Sequence, residues 1–442
     1  MEVDFMRKYV KLSWIGTIAA FVTAVFSVIF FAWAFSMKEQ NAAAFMLPLL
    51  FFALFCVAAL KLVPALEEFW KTEKSFIDFD SKPVVMTLAA VWIGLVALAL
   101  MVVAVQRNPG YSLSGALRVL TNRIDSNHYY DIAKNWYQNN ETDQQFFIVF
   151  FPLYPLLLKL CPFPDFYPVF SVILGAALTF AACFMFYDLA GMLSHNARKS
   201  LKYLLFFPAS FFFLLPMTES LFLLISVAFF YFVLKKNYIV VFVLGFLAAL
   251  CRLQGVLLIV PLFLELVRAS REGEAKKSHF LTLVSPFIGV AVYLIINKLV
   301  YGNFFEFLKV QSEHWHQNFT FFFDTVRILL NQSLTSTGMT EPFGVFIGIP
   351  EVAVMLFVLG LIVAAGRRLR PSMFAYCLTY FFVSFGATWL LSAIRYSAVL
   401  FPLAFCSAEI GKEKKLDRLL TVVYTVSFFV YFTVFLNGSP VY

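Results

Sequence analysis

The stretch FFIVFFPLYPLLLKL, residues 146–160, is apolar enough to pass for a membrane helix, and whether it crosses decides the layout of everything after it. A hydrocarbon core about 30 Å thick needs roughly 20 apolar residues in a helix. This stretch is shorter and holds Pro152 and Pro155, each of which removes a backbone donor and clashes with the turn before it. Counting it as a span would also move every later basic cluster across the membrane. We therefore read it as a re-entrant or surface-lying segment.

Around it the chain is apolar throughout. Of 442 residues, 61% are hydrophobic and only 14% charged, and apolar runs recur at lengths that no soluble core needs. Spans are expected near 12–36, 43–65, 84–105, 166–190, 201–217, 219–234, 281–300, 343–365, 373–391, 393–410 and 418–437. The stretch 238–267 is interrupted by CRLQG and reads as two short helices meeting at a polar turn. The expected fold is an all-α polytopic membrane protein, a bundle of about 13 transmembrane helices. The run 12–36 is too long for a signal-peptide core and lacks a small-residue cleavage pattern, so it is expected to remain as a helix.

If the N-terminus is cytoplasmic, the clusters Arg7/Lys8/Lys11, Lys71/Lys74/Lys82, Arg198/Lys199/Lys202, Lys235/Lys236, Arg268/Arg271/Lys276/Lys277, Arg367/Arg368/Arg370 and Lys412/Lys414/Lys415/Arg418 all fall inside. With Lys61 they hold about two thirds of the 34 lysines and arginines, although the longest loops lie outside. The net charge of +8 therefore reads as topology, and no nucleic-acid partner is expected. The six cysteines are scattered, mostly within apolar runs, and suggest neither a disulfide framework nor a zinc site.

Three regions follow. Residues 1–83 form a two-helix appendage with a charged cytoplasmic linker, 84–410 the main membrane domain, and 411–442 a C-terminal transmembrane helix. No solenoid or propeller repeat and no Gly/Ser-rich linker divides the chain further. Loops 106–165 and 301–342 fall on the same, extracytoplasmic face, which marks that face for a site.

The first of these loops carries TNRIDSNHYYDIAKNWYQ, residues 121–138. Asp125 stands at a helix N-cap position, and Tyr129, Ile132, Ala133 and Trp136 follow at the spacing of one apolar face. The segment reads as an interfacial helix anchored by Tyr130, Trp136 and Tyr137, with Arg123, Asp125 and His128 gathered at its start. Taken alone, Asp125 as a cap and Arg123 as a headgroup contact would suffice. But Glu219 in PMTES, Arg252 and Gln254 in CRLQG, Arg395 and Tyr396 in SAIRYSAVLFP, and Gln311, His314, Trp315 and His316 in VQSEHWHQNF all fall at the same face. An ionisable residue near membrane depth costs roughly 2.5–3.5 kcal/mol, so several at different helix ends point to a shared site rather than to snorkelling. The histidines lack metal-ligand spacing and no metal is expected. There is no Walker loop and no GxGxxG opening a helix.

Five stretches, RIDSNHYYDIA (123–133), FFPLYPLL (150–157), FFPASFFFLLPMTESLF (206–222), CRLQGVLL (251–258) and RYSAVLFPL (395–403), together resemble the signatures of the PIG-V-like mannosyltransferases, polytopic glycosyltransferases of the GT-C class. YGNFFEFLKVQSEHW (301–315) also resembles that family's outer loop. The resemblance covers about residues 84–410. It departs from the family pattern at Ile124, where tryptophan is usual, and at Met217, where tyrosine is usual. It implies a GT-C-like helical bundle and an inverting transfer of a hexose, typically mannose, from a polyprenyl-phosphate donor such as a dolichyl phosphate. It also implies a catalytic aspartate in the first long outer loop, the position of Asp125.

The chemistry is compatible with these residues. Inverting transfer needs one carboxylate to take the acceptor's proton as the new bond forms, the role expected of Asp125. Arg395, Arg252 and Arg123, in that order, are candidates for the departing lipid phosphate. His128, Glu219, Gln254, Gln311, His314, Trp315 and Tyr396 are candidates for sugar or acceptor contacts. No cofactor is expected. The acceptor stays open among a glycolipid, a glycan and a protein, and membrane lipid is a constant neighbour. A transporter or lipid-linked-sugar flippase is the rival reading, and it predicts ionisable groups at the midplane and a two-fold repeat. A structural subunit is a third. Compact loops and the N-terminal hairpin favour a prokaryotic plasma membrane. In a eukaryote the location would be the endoplasmic reticulum, where triplets at Asn140, Asn318, Asn331 and Asn437 could carry glycans.

Overall fold

The computed structural model describes residues 42–69, 82–138, 143–335, 347–438 and 441. The expected span 12–36, most of the linker after Phe69, Asn140 and the end of the second long loop lie outside these residues. Within them the chain is helical, and the one β-type contact is an isolated antiparallel bridge between Phe319 and Ala387.

The helices, in order, are α1 (Ala42–Phe69), α2 (Lys82–Arg107), α3 (Leu113–Thr121), α4 (Ser126–Asn135), α5 (Leu153–Leu158), α6 (Tyr167–Met192), α7 (Ala197–Leu205), α8 (Glu219–Leu234) and α9 (Tyr238–Cys251). They continue as α10 (Ile259–Arg271), α11 (Ser285–Tyr301), α12 (Glu306–Glu313), α13 (Phe322–Thr335), α14 (Ile349–Ala365), α15 (Pro371–Ser384), α16 (Ala393–Ala398), α17 (Pro402–Ile410) and α18 (Lys414–Leu436). Six segments among the described residues are long and apolar enough to cross a membrane: Lys82–Arg107, Pro164–Met192, Leu253–Arg271, Lys277–Tyr301, Ile349–Arg368 and Lys414–Leu436. Three shorter apolar helices, Met46–Leu62, Glu219–Leu234 and Tyr238–Cys251, accompany them. This is the pattern of a multi-pass membrane protein.

Two stretches expected as continuous spans are broken, and prolines explain both. The run 201–217 leaves its helix at Leu205, ahead of Pro208, and continues as a 3-10 turn over Ser210–Leu214. The run 393–410 splits into α16 and α17, with Pro402 supplying the first position of the second helix. The run 373–391 also ends early, at Ser384, because the chain turns aside to bond loop residues: the Thr320 amide donates to the Gly386 carbonyl at 3.1 Å. In contrast, 238–267 breaks where expected, with Arg252 in an extended conformation between α9 and a 3-10 turn.

Residues 146–160 form no helix long enough to cross a membrane. They form a 3-10 turn over Asp143–Val149 and the six-residue α5, about 9 Å long at 1.5 Å per residue. Tyr154 and Leu158 on α5 are completely buried against protein.

At the centre stands α8. Beyond Glu219 at its start, its residues are mostly apolar on every side and nearly all buried, the signature of a helix surrounded by other helices. It packs chiefly on α6 and α9, and α9 in turn packs on α11. The α9–α11 contact is close because Gly289 faces α9: a Cβ there would lie 2.9 Å from the Ala249 Cβ. The turn Lys235–Asn237 joins α8 to α9 as a hairpin, with the Asn237 side chain accepting the Val240 amide as N-cap. That hairpin returns the end of α9 to the start of α8, where the polar residues meet.

Candidate functional site

Glu219 is the first residue of α8 and Arg252 directly follows α9, so the hairpin sets an anion at a helix N-terminus beside a cation at a helix C-terminus. Both backbone dipoles favour that arrangement. Arg252 Nη2 donates to Glu219 Oε1 at 3.2 Å. From α16, Arg395 donates to the same oxygen through Nε at 3.2 Å and Nη2 at 3.1 Å. Its outer nitrogens Nη1 and Nη2 also reach Asp125 Oδ2, at 3.5 and 3.4 Å. Four charged groups that lie up to 270 residues apart in the chain thus form one balanced network of two carboxylates and two guanidiniums.

Its members differ in exposure, and the difference assigns their parts. The Glu219 side chain is 0% exposed, Arg395 8% and Arg252 10%, whereas Asp125 is 29% exposed. The Asp125 contacts are also longer than the 2.7–2.9 Å usual for a charged N–H···O bond. Glu219 therefore anchors both guanidiniums from within, and Asp125 sits loosely at the open side, able to exchange Arg395 for another partner.

Aromatic rings wall the network. Arg252 lies over the Tyr396 ring at 5.6 Å and the Phe222 ring at 5.9 Å, and Arg395 over Phe212 at 5.1 Å. Tyr129, not singled out in the sequence because it falls on the apolar face of α4, lies within electrostatic range of Asp125, Glu219, Arg252 and Arg395 together. Burial, reinforced by the carboxylates, raises its hydroxyl above the ordinary tyrosine range and keeps it an O–H donor.

Three residues beyond Asp125, His128 stands in an aromatic box. Its ring is 4.9 Å from both Phe147 and Phe150 and 6.1 Å from Trp315. Burial holds the imidazole below its usual value against the opposing pull of Asp125 and Asp131, favouring the neutral form. The box ties the two long loops together. Tyr301 adds a hydrogen bond to the Gln138 carbonyl at 3.1 Å, and His314 packs on Phe146 with ring centres 3.6 Å apart.

Several sequence expectations need correction. Asp125 does stand at the N-cap position of α4, but its carboxylate caps no amide and goes to Arg395 instead. The Arg123 guanidinium donates to the carbonyls of Leu120 and Phe435, the latter at the end of α18. Tyr130 and Tyr137 are buried in protein, Tyr130 against Ser171 and Tyr137 on the Phe150 carbonyl. Gln311 is engaged within its own loop, bonding Gln317, whose Nε2 donates to the Trp389 carbonyl at 3.0 Å. Gln254 lies half-buried in the turn after Arg252. Among the described residues no group of three His, Cys, Asp or Glu could hold a metal ion.

No family model, curated protein or solved structure matches the chain.

Proposed function

We propose that the chain is an inverting glycosyltransferase of the GT-C class, resembling the PIG-V-like mannosyltransferases. It moves a hexose, mannose in the first instance, from a polyprenyl-phosphate donor to an acceptor hydroxyl at the extracytoplasmic face of a bundle of about 13 helices. The observation that carries this reading is the placement of Asp125: a partly exposed carboxylate held at 3.4 Å by Arg395, which Glu219 fixes from behind.

In the proposed reaction the acceptor oxygen attacks the anomeric carbon from the side opposite the phosphate. The new C–O bond takes the oxygen's lone pair, its proton passes to Asp125, and the bond to the phosphate oxygen breaks with its electron pair leaving on the lipid phosphate. Arg395 and Arg252 are the cations in place to stabilise that developing charge. Because the acceptor hydroxyl becomes acidic only as the bond forms, a carboxylate paired with an arginine is a sufficient base. His128 and Trp315 offer ring surfaces beside the base for a sugar.

The test is purified full-length protein in liposomes supplied with a short-chain polyprenyl-phosphate mannose and a panel of glycoside, glycolipid and peptide acceptors. Transfer with inversion at the anomeric carbon and release of polyprenyl monophosphate is the expected result. Retention of configuration, or no transfer from any such donor, contradicts the reading.

A further inference from the structure

One buried carboxylate near the network has no part in the reaction above. Glu351 lies in the first turn of α14, 6% exposed, in a segment that reads as an ordinary apolar span. An acid at that position commonly serves the amides of its own helix. Here Glu351 Oε2 instead accepts the Ala393 amide across the bundle at 2.7 Å. Ala393 is the first residue of α16, fully buried, and its amide belongs to the set that no helix satisfies internally.

The helix so held is the one that carries Arg395. At six residues α16 is far too short to hold its own shape, so its position depends on what grips its ends. The preceding chain leaves α15 at Ser384 and runs along the second long loop, tied there by the Thr325 hydroxyl, which accepts the Ala387 amide at 3.0 Å. At the start of α16 itself, Glu351 grips the backbone.

We propose that Glu351 is a positioning residue for Arg395: by accepting the Ala393 amide it fixes the start of α16 and thereby aims the guanidinium that bridges Glu219 and Asp125. The consequence for donor binding rests on the role of Arg395 proposed above.

The test uses full-length protein in detergent and two substitutions that keep the side-chain volume. Glu351→Gln retains a carbonyl oxygen for the amide, and Glu351→Met does not. The readouts are binding of a short-chain polyprenyl monophosphate and the KM for donor and acceptor separately. Glu351→Met is expected to weaken monophosphate binding and raise donor KM about tenfold, the scale of one lost buried hydrogen bond, with acceptor KM unchanged. Glu351→Gln is expected to stay close to wild type, and Glu351→Met is expected to add nothing in an Arg395→Ala background. A Gln variant as impaired as the Met variant, or additive losses in the double variant, overturns the proposal. So does a Met variant that loses thermal stability while its donor affinity is unmoved. Coupling seen in monophosphate binding without sugar transfer by the wild type would remove the reaction and leave the role of Glu351. No monophosphate binding by the wild type would overturn both.

Discussion

At the scale of single residues the site is a balance of charges centred on Glu219. Glu219 gathers three guanidinium N–H groups on Oε1, so Glu219→Gln leaves two buried cations short of their counter-charge. Removing one partner of such a buried network costs roughly 3–5 kcal/mol, and the variant should show a clearly lower thermal midpoint in detergent as well as lost transfer. His128 makes a prediction about pH. Its folded pKa is below the ordinary value, so between that folded value and about 6.5 the unfolded chain binds a proton that the folded chain does not. Stability is therefore lost as pH falls through this window, and His128→Phe should flatten the decline in a pH series of thermal midpoints. An unchanged slope would show that the aromatic box does not exclude the proton. The candidates Asp125, Glu219, Arg252 and Arg395 could be read from the sequence because charge is scarce in apolar chain. Their pairing could not, since Asp125 and Arg395 lie 270 residues apart and only the assembled bundle brings them together. The fate of Arg123 was hidden for the same reason: it depends on where α18 ends.

At the scale of elements, helix breaks rather than helix lengths build the site. The turn after α9 holds Arg252 because Gly255 comes against the Ala248 carbonyl, where a Cβ would overlap it, while the Gly255 amide donates to the Arg252 carbonyl at 2.9 Å. Gly255→Ala should cost about 1–3 kcal/mol and shift Arg252 off Glu219, measurable as a lower thermal midpoint together with weaker monophosphate binding. Wild-type values for both would mean that the turn has slack. This break was evident in CRLQG, a polar interruption of an apolar run. The breaks after Leu205 and before Pro402 were not, because hydropathy over a window of about 20 residues averages away one proline, even though each proline was in plain view. Stretch 146–160 was the converse case: two prolines in a short run argued against a long helix, and α5 is only six residues long.

For the whole molecule, the charge asymmetry carries a prediction of topology: the network at the ends of α4, α8, α9 and α16 should lie at the extracytoplasmic face, with the Lys/Arg clusters opposite. The described cysteines are buried except for the half-buried Cys56, so single introduced cysteines should report against a low background. An impermeant maleimide applied to intact cells should label cysteines placed at Gly110 and Gly302 and miss those at Gly273 and Lys415; the reverse pattern would put the network inside. The central claim is that Asp125 is the base of a sugar transfer, and comparing Asp125→Asn with wild type in the liposome assay tests it most directly. Loss of the base should cut turnover by about 10²–10⁴-fold while thermal midpoint and monophosphate binding stay near wild type, because Glu219 still anchors Arg395. Sugar transfer by Asp125→Asn at the wild-type rate would contradict it.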